Sequence, residues 1–420
     1  MTKRFTLLCR KPGYTSRKHP FNQAIQRSTT KEIFALCILA LTLLLSACTI
    51  SNPFSQPSQS GVTTALPSPS PTQLVTPSPA FTPRAITPQI SSSCPATVAS
   101  YKWDSFLKTQ PGVNKVQLVT CGSLEGAGSL EAVVGVGYYT PDAKLDVYVF
   151  DNLNGTPTQT FKLTGLIQGD ARISPTGTLM TAEVGPKSIS MVIPDLFKEY
   201  QWNQSTFTQT LFPFVYPDMT HYMAEQNNAI VTAQLAAGKN NNAWEVSCTG
   251  EAGHLANNVL RWTNITTVVQ KFIKATDTIV VQLTNLGTGG GGFIATCHHL
   301  DGNANNILEI ASITPLDAAT TITSPAANVQ LTSPVTVTGV ALAGSKMLGE
   351  IIVYDGTYFQ VGNSGPIGSS GSSYVTFSNV VHYNLNASGI QEGVVALLTT
   401  TQNNLALTSQ VMMVKVFLSA

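Results

Sequence analysis

Charged side chains are scarce in this sequence. Asp, Glu, Lys and Arg make up 11% of the 420 residues, against roughly 25% in typical soluble domains. Eight of the 23 Lys and Arg residues precede Glu32. The chain after Glu32 therefore carries 15 basic and 21 acidic residues. This acidic remainder offers no basic field to hold phosphates, which argues against nucleic acid as a partner.

The signatures of common enzymes are also missing. The sequence contains no G-x-S-x-G nucleophile elbow, no HExxH helix and no P-loop. The glycine run at 287–292 lacks the Lys-Ser/Thr of a phosphate loop and lies between two expected strands, where a hairpin needs glycine for positive φ. Acidic pairs such as Asp142 with Asp146 lack the spacing of a calcium loop. The sequence therefore predicts no catalytic residue, no cofactor and no metal.

A single long apolar run stands near the start of the chain. Residues 33–47 read IFALCILALTLLLSA after a basic stretch, which is the order and size of a signal peptide. The run ends in Leu45-Ser46-Ala47-Cys48, which resembles the lipobox of bacterial lipoproteins. The resemblance implies cleavage before Cys48 and a diacylglycerol on its sulfur, so that 1–47 is removed and the protein is extracytoplasmic and lipid-anchored. The alternative is an uncleaved membrane anchor reaching about Ile50, because about 18 apolar residues just cross a bilayer.

Residues 48–93 have the composition of a tether. Of the 43 positions from 51 to 93, 25 are Pro, Ser or Thr, and Arg84 is the only charged residue. Such a segment cannot bury a core, and its dense prolines favour extended polyproline II structure. We expect it to hold the folded part away from the membrane.

Four cysteines remain after Cys48, and in an oxidising compartment they predict two disulfides. Three pairings are possible; joining sequence neighbours, Cys94 with Cys121 and Cys248 with Cys297, keeps each bridge within one expected domain. A metal site at Cys297, His298 and His299 is the competing interpretation, but adjacent strand residues point to opposite faces. The remaining mature-chain histidines, His221, His254 and His382, stand alone in the sequence and are expected to be structural.

The chain after residue 93 is expected to be mainly β and multidomain. Residues 94–215 are predicted as a β-rich domain, because β-branched and aromatic runs alternate with turn residues. Residues 216–315 are predicted as an α+β unit: a helix from Asp218 to Gly238, a second from Ala243 to Leu260, then four strands of period two. In outline this unit resembles the cystatin-like or nuclear-transport-factor-like fold, a likeness that carries no function.

Residues 322–420 carry a second resemblance. The Ser-Pro steps at 324–325 and 333–334, Val-Thr-Gly at 337–339, EIIVYDG at 350–356 and YVTFSNVVHY at 374–383 resemble the immunoglobulin-like domain of bacterial spore-germination and related envelope proteins. The resemblance implies a β-sandwich of about seven strands, used as an interaction module without catalytic residues.

Together these features predict a non-enzymatic, membrane-anchored surface lipoprotein that presents binding modules. The expected partners are the membrane, through lipid on Cys48, and a cell-wall glycan or an envelope protein. An aromatic cluster supports a sugar or protein partner if some of its rings are exposed: Tyr200, Trp202, Phe207, Phe212, Phe214 and Tyr216. The alternative is a glycan or peptide hydrolase whose active-site residues, within 94–315, converge only in three dimensions.

Overall fold

The computed structural model describes residues 89–90, 93–126, 128–186, 188, 190, 192–288, 291–344, 346–371, 373–385, 389–400 and 408–420. All of them belong to one compact unit, Pro79–Ala420. The signal segment, Cys48 and most of the expected tether lie outside the described residues. Over the described residues, 22 strands form four sheets, so the expectation of a mainly β protein is confirmed.

The first sheet has five strands in sequence order, of which the last four form an antiparallel meander and the first pairs parallel to the second. It carries the first disulfide, Cys94–Cys121, with an S–S distance of 2.03 Å. Two short helices, α1 (Ala96–Ala99) and α2 (Trp103–Phe106), cover one face, where the Trp103 ring lies 5.1 Å from that of Phe150. The strands are β1 (Gln89–Ile90), β2 (Asn114–Gly122), β3 (Glu131–Tyr138), β4 (Leu145–Asp151) and β5 (Thr158–Leu166).

A second meander of four strands packs on the first through a shared core that includes Val147, Leu179 and Phe207. The β-branched run SISMVI at 188–193 favours a further strand, and this prediction is wrong for its described residues. Val192 and Ile193 are 71% and 66% exposed and lie in a bend, because no neighbouring strand pairs with them there. The strands are β6 (Asp170–Ile173), β7 (Leu179–Glu183), β8 (Leu196–Trp202) and β9 (Phe207–Thr210).

The two helices expected after residue 216 are present with different bounds. Helix α3 spans His221–Ala236, so it begins after Asp218. The second expected helix is divided into a 3-10 turn, Ala243–Val246, and helix α4, Cys248–Asn258. The division falls at Ser247, whose hydroxyl accepts a hydrogen bond from Gly250 N at 3.1 Å and so caps α4.

Four antiparallel strands follow α4, as the period-two pattern predicted. Helix α4 packs against them through Ala252 and Leu255, both fully buried. The second disulfide, Cys248–Cys297, joins the first residue of α4 to the third strand of the meander. The strands are β10 (Ile265–Ile273), β11 (Thr278–Asn285), β12 (Gly291–His299) and β13 (Leu308–Pro315).

Residues 321–419 form a two-layer β-sandwich. Its core joins Val337 and Phe377 of one layer to Val395 and Val416 of the other. One layer consists of β14 (Thr321–Ser324), β16 (Val335–Leu342) and β20 (Tyr374–Val381). The other contains β15 (Gln330–Thr332), β17 (Met347–Asp355), β18 (Gln360–Asn363), β19 (Ile367–Gly368), β21 (Ile390–Thr399) and β22 (Gln410–Ser419).

The second layer of the sandwich continues into the preceding meander. Strand β22 pairs with β21 along its length and with β13 through Ile313 and Met413. The result is a ten-stranded sheet in the order β10-β11-β12-β13-β22-β21-β17-β18, with β15 and β19 at its sides. The stretch between 315 and 322, where a boundary was expected, therefore connects two regions that share one sheet.

Candidate functional site

A polar cleft of about 370 Å³ lies where the second meander meets the start of α3 and the turns that follow β10 and β12. Threonine, glutamine, aromatic and ionisable side chains share its walls. Its lining residues are Thr176, Thr178, Glu199, Gln201, Thr210, Leu211, Phe212, Pro213, Phe214, His221, Thr276, Asp277, His298, His299, Asp301 and Gly302.

The centre of the cleft is His221, which lies between two carboxylates. Its Nδ1 donates to Glu199 Oε1 at 2.9 Å, and its Nε2 is 3.1 Å from Asp301 Oδ1. All three side chains are nearly excluded from solvent. Thr178 Oγ1 also donates to Glu199. Strand β8 supplies Glu199, α3 supplies His221, and the turn Leu300–Gly302 supplies Asp301.

The charge on His221 depends on these two neighbours. Burial works to lower the pKa of its imidazole, but the close carboxylates of Asp301 and Glu199 outweigh it and raise the pKa to about 9. His221 is the first residue of α3, where the helix dipole disfavours a cation. The two carboxylates compensate for that dipole and leave the triad with one more negative than positive charge.

Glu225 lies one helical turn after His221 and extends the cluster. Burial raises the pKa of its carboxyl to about 7, and the neighbouring Asp301 adds to the rise. His221, Glu225 and Asp301 each offer a ligand atom, and these atoms lie within 4.8 Å of one another. This is the group of described residues with the ligand types and spacing for a metal ion.

Phe212 and Phe214 form the aromatic wall of the cleft, and side chains of the C-terminal sandwich hold their backbone by hydrogen bonds. The Phe212 ring stacks on the imidazole of His221, with centroids 4.8 Å apart and planes 17° apart. Phe212 N donates to Glu392 Oε1 at 3.1 Å, and Lys415 Nζ donates to Phe214 O at 2.9 Å. Strand β21 therefore positions Phe212, which stacks on His221, and β22 positions Phe214, which lines the same cleft.

The sequence segment Cys297-His298-His299 does not form a metal site in this structure. Cys297 is in the disulfide with Cys248. His299 Nδ1 donates to Asp277 Oδ1 at 2.7 Å, and its backbone N donates to the other oxygen of Asp277 at 2.7 Å. His298 lines the cleft beside Phe214. Cys297 is therefore committed to a disulfide, whereas His298 and His299 both line the cleft.

A second ionisable cluster is buried outside the cleft. Asn227 Nδ2 donates both to Asp218 Oδ2 at 3.1 Å and to Glu245 Oε2 at 2.6 Å. Glu251 and Glu309 are fully buried, and neither oxygen of Glu251 has a hydrogen-bond partner among the described residues. Burial raises the pKa of all four carboxyls, to about 6 for Asp218 and about 7 for Glu245, and their mutual repulsion adds to the rise for Glu245, Glu251 and Glu309.

Another cleft, of about 460 Å³, lies beside the first sheet. Its acidic group, Asp104, accepts from Thr109 Oγ1 at 2.7 Å and from Val116 N at 2.9 Å. These bonds hold the loop after α2 to β2. The smaller cleft around His221 concentrates the ionisable groups and is therefore the candidate site.

Sequence reasoning missed this site because its members are far apart in the chain. His221 was expected to be an isolated structural residue, whereas it contacts Glu199 and Asp301. The available signal was local: His221 and Glu225 are four residues apart and share one helix face. Of the expected aromatic cluster, Phe207, Phe212, Phe214 and Tyr216 are buried, and only Tyr200 and Trp202 are partly exposed.

Among the described residues, no helix combines the length and apolar character needed to cross a membrane. No protein-family model matches the chain, and no curated protein matches it.

Proposed function

We propose that this chain is an exported surface lipoprotein, cut before Cys48 and anchored by lipid on that cysteine. Its folded part is a non-enzymatic binding module for a cell-wall glycan, and the cleft around His221 is the binding site. Three features support export and lipid anchoring: the apolar run before Cys48, the Pro/Ser/Thr-rich segment after it and the two disulfides.

The observation that carries the binding role is that the ionisable groups of the cleft are already paired with each other. Glu199, His221 and Asp301 hold one another, and Asp277 holds His299. A general acid or base has to exchange its proton with a substrate. Groups locked in internal ion pairs instead provide a rigid polar wall.

The ligand class follows from the size and lining of the cleft. Ligand pockets typically measure about 300–1,000 Å³, and this one is about 370 Å³. That volume suits a short glycan segment, whereas a protein partner would cover about 800 Å² of open surface. Hydroxyl and amide groups of Thr176, Gln201 and Thr210, with the nearby Phe rings, match the alternating polar and apolar faces of a sugar.

The finer architecture supports an interaction module. The C-terminal sandwich has β14, β16 and β20 in one layer and β17, β21 and β22 in the other, which parallels the division of strands in an immunoglobulin fold. The order of two helices and a four-stranded meander in 221–315 agrees in outline with a cystatin-like unit. We propose these assignments for the two regions.

The test is retention of residues 79–420, the compact unit, on isolated cell wall. We expect saturable binding that weakens at least about tenfold in Thr210→Val, because a lining hydroxyl is lost. Thr208→Val is the matched control on the same strand, since Thr208 is exposed and outside the cleft. Absence of wall retention in the wild type, or retention only by an envelope protein extract, would contradict the glycan proposal.

A hydrolase is the second candidate, because the cleft places two carboxylates, Glu199 and Asp301, on opposite sides of one imidazole. This candidate predicts that wild-type protein releases soluble reducing ends from the wall and that Glu199→Gln abolishes the release. Retention without release favours the binding module.

A further inference from the structure

The groups around His221 Nε2 are unusual for a structural ion pair. Nε2 faces Asp301 but makes no hydrogen bond of acceptable geometry, although the His221 side chain is only 4% exposed. Asp301 Oδ2 and Glu225 Oε1 are also buried oxygens without a hydrogen-bond partner among the described residues. With both carboxyls ionised, three polar atoms of one cluster are therefore left without hydrogen bonds, which is costly for buried groups.

The charges around His221 also favour a bound cation. Three carboxylates, on Glu199, Glu225 and Asp301, surround the single imidazole of His221. The guanidinium of Arg172 is engaged elsewhere, by Asp170 Oδ2 at 3.0 Å and by the face of the Tyr222 ring. A cation placed among the three atoms would satisfy them together.

We propose that His221, Glu225 and Asp301 bind a divalent cation of the zinc type, and that Glu199 is a positioning residue that orients His221. The proposal rests on the proposed function only in assigning the cleft to ligand binding. It names the ion that would complete the site.

The ligand set selects the ion. One imidazole nitrogen with two carboxylates matches the mixed nitrogen and oxygen ligation of Zn²⁺, whereas Ca²⁺ takes six to eight oxygens and Mg²⁺ prefers octahedral oxygen ligation. Three protein ligands leave a fourth position, and His221 and Asp301 both line the cleft. That fourth position would therefore face the glycan site.

Glu199 would not bind the ion itself but would orient the ligand His221 through a hydrogen bond. It accepts from His221 Nδ1 at 2.9 Å, which fixes the tautomer in which Nε2 carries the lone pair for a metal. Metal-bound histidines usually donate their other nitrogen to a carboxylate or carbonyl in this way. Ligands bound to Zn²⁺ at about 2.0–2.2 Å lie within about 4 Å of each other. The three candidate ligand atoms lie within 4.8 Å of one another, so binding the ion would require them to move about 1 Å closer together.

The opposing interpretation is that a proton on His221, rather than a metal ion, offsets the charge of the surrounding carboxylates. In that case His221 is permanently a cation that holds the carboxylates, and no metal binds. The two interpretations differ in the effect of Glu225→Gln, which removes a ligand from the metal site but leaves both carboxylates that flank the imidazolium, Glu199 and Asp301, in place.

The experiment is calorimetric titration of Zn²⁺ into residues 79–420 after removal of metals with a chelator. We expect one ion per chain with micromolar or tighter affinity, and at least about tenfold weaker binding in both Glu225→Gln and His221→Gln. His298→Gln is the matched control, because His298 lines the same cleft but lies outside the ligand group. Zn²⁺ should also raise the Tm of the wild type and of His298→Gln, but not that of Glu225→Gln.

Failure to bind Zn²⁺ in the folded wild type would overturn the proposal, as would equal weakening in His298→Gln. Wall retention measured with chelator and with Zn²⁺ separates this inference from the proposed function. Zinc binding without wall retention upholds the inference and removes the glycan role. Wall retention by a protein that binds no zinc upholds the glycan role and removes the inference.

Discussion

The amine of Lys415 lies 2.8 Å from Oε2 of Glu392, and the two side chains are 6% and 1% exposed. They project from neighbouring strands, β22 and β21, of the large sheet. Lys415 also donates to the carbonyls of Phe214 and Met219, and Glu392 accepts from Phe212 N. This buried pair is therefore the link between the C-terminal sandwich and the aromatic wall of the cleft.

Lys415→Met should lower the free energy of unfolding by about 3–5 kcal/mol, because it leaves the Glu392 carboxylate buried without its cation. Urea unfolding measures the change. Lys198→Met is the control: its pair with Glu183 is partly exposed, 3.0 Å long, and worth about 0–1 kcal/mol. The double variant Lys415→Met/Glu392→Leu should be more stable than Lys415→Met alone. Equal losses for Lys415→Met and Lys198→Met would contradict this account.

The second ionisable cluster should make the protein less stable as pH rises. Burial raises the pKa of Asp218 to about 6 and of Glu245 to about 7, and raises those of Glu251 and Glu309 further. Between the ordinary carboxyl pKa near 4.5 and these values, the folded state binds more protons than the unfolded state. The free energy of unfolding must then fall as pH increases through that window.

Glu251→Gln tests the cause, because it removes a titratable group and keeps its shape. We expect this variant to be more stable than the wild type at pH 8 and to show a shallower fall in Tm between pH 5 and pH 8. Glu350→Gln, at a site where the carboxylate accepts from exposed Asn363, should follow the wild-type curve. Parallel curves for Glu251→Gln and the wild type would rule out the cluster as the source.

The two disulfides should differ in their contribution to stability. Cys248–Cys297 closes 49 residues and Cys94–Cys121 closes 27. The chain-entropy relation gives about 4 kcal/mol for the longer loop and about 3.5 kcal/mol for the shorter one. Urea unfolding of Cys94→Ala/Cys121→Ala and of Cys248→Ala/Cys297→Ala measures the two losses. A variant that lacks both bridges should not respond to added reductant. A larger loss from the Cys94–Cys121 pair would contradict the loop-length argument.

Cys48→Ser should abolish lipid attachment in the full chain, because the hydroxyl cannot form the thioether. Incorporation of labelled palmitate by a bacterial host, followed by membrane fractionation, measures the effect. Cys37→Ser, inside the expected signal segment, is the matched control and should be labelled normally. Undiminished labelling of Cys48→Ser would contradict lipidation at Cys48, whereas an unlabelled wild type that stays in the membrane fraction would favour the uncleaved anchor.

Local patterns predicted the strands well where neighbours along the chain are also neighbours in space. Strands β2 to β5 pair in order, so their β-branched runs and intervening turns were sufficient. The pairing of β13 with β22 was not predictable in this way. Strand β22 is nearly a hundred residues further along the chain, and both strands read as ordinary sandwich or meander strands.

The candidate site shows the same limit. The i to i+4 spacing of His221 and Glu225 is visible in the sequence, but nothing in it indicates that Glu199 and Asp301 approach from other elements. Buried ionisable groups such as Glu251 and Glu309 were equally hidden, because a Glu in a polar segment usually faces solvent. Packing of the helices on the large sheet decides their burial.

Strand β22 holds the middle of the ten-stranded sheet, yet it comes later in the chain than every other described strand. Because β22 is last in chain order, the meander ending in β13 and the pair β17 and β21 are synthesised before it, each with an open edge. Open edges are sites of mispairing between chains. Until positions 410–419 are in place, the edges of β13 and β21 that β22 covers in the folded protein have no partner strand, so a chain that lacks these positions exposes two open sheet edges.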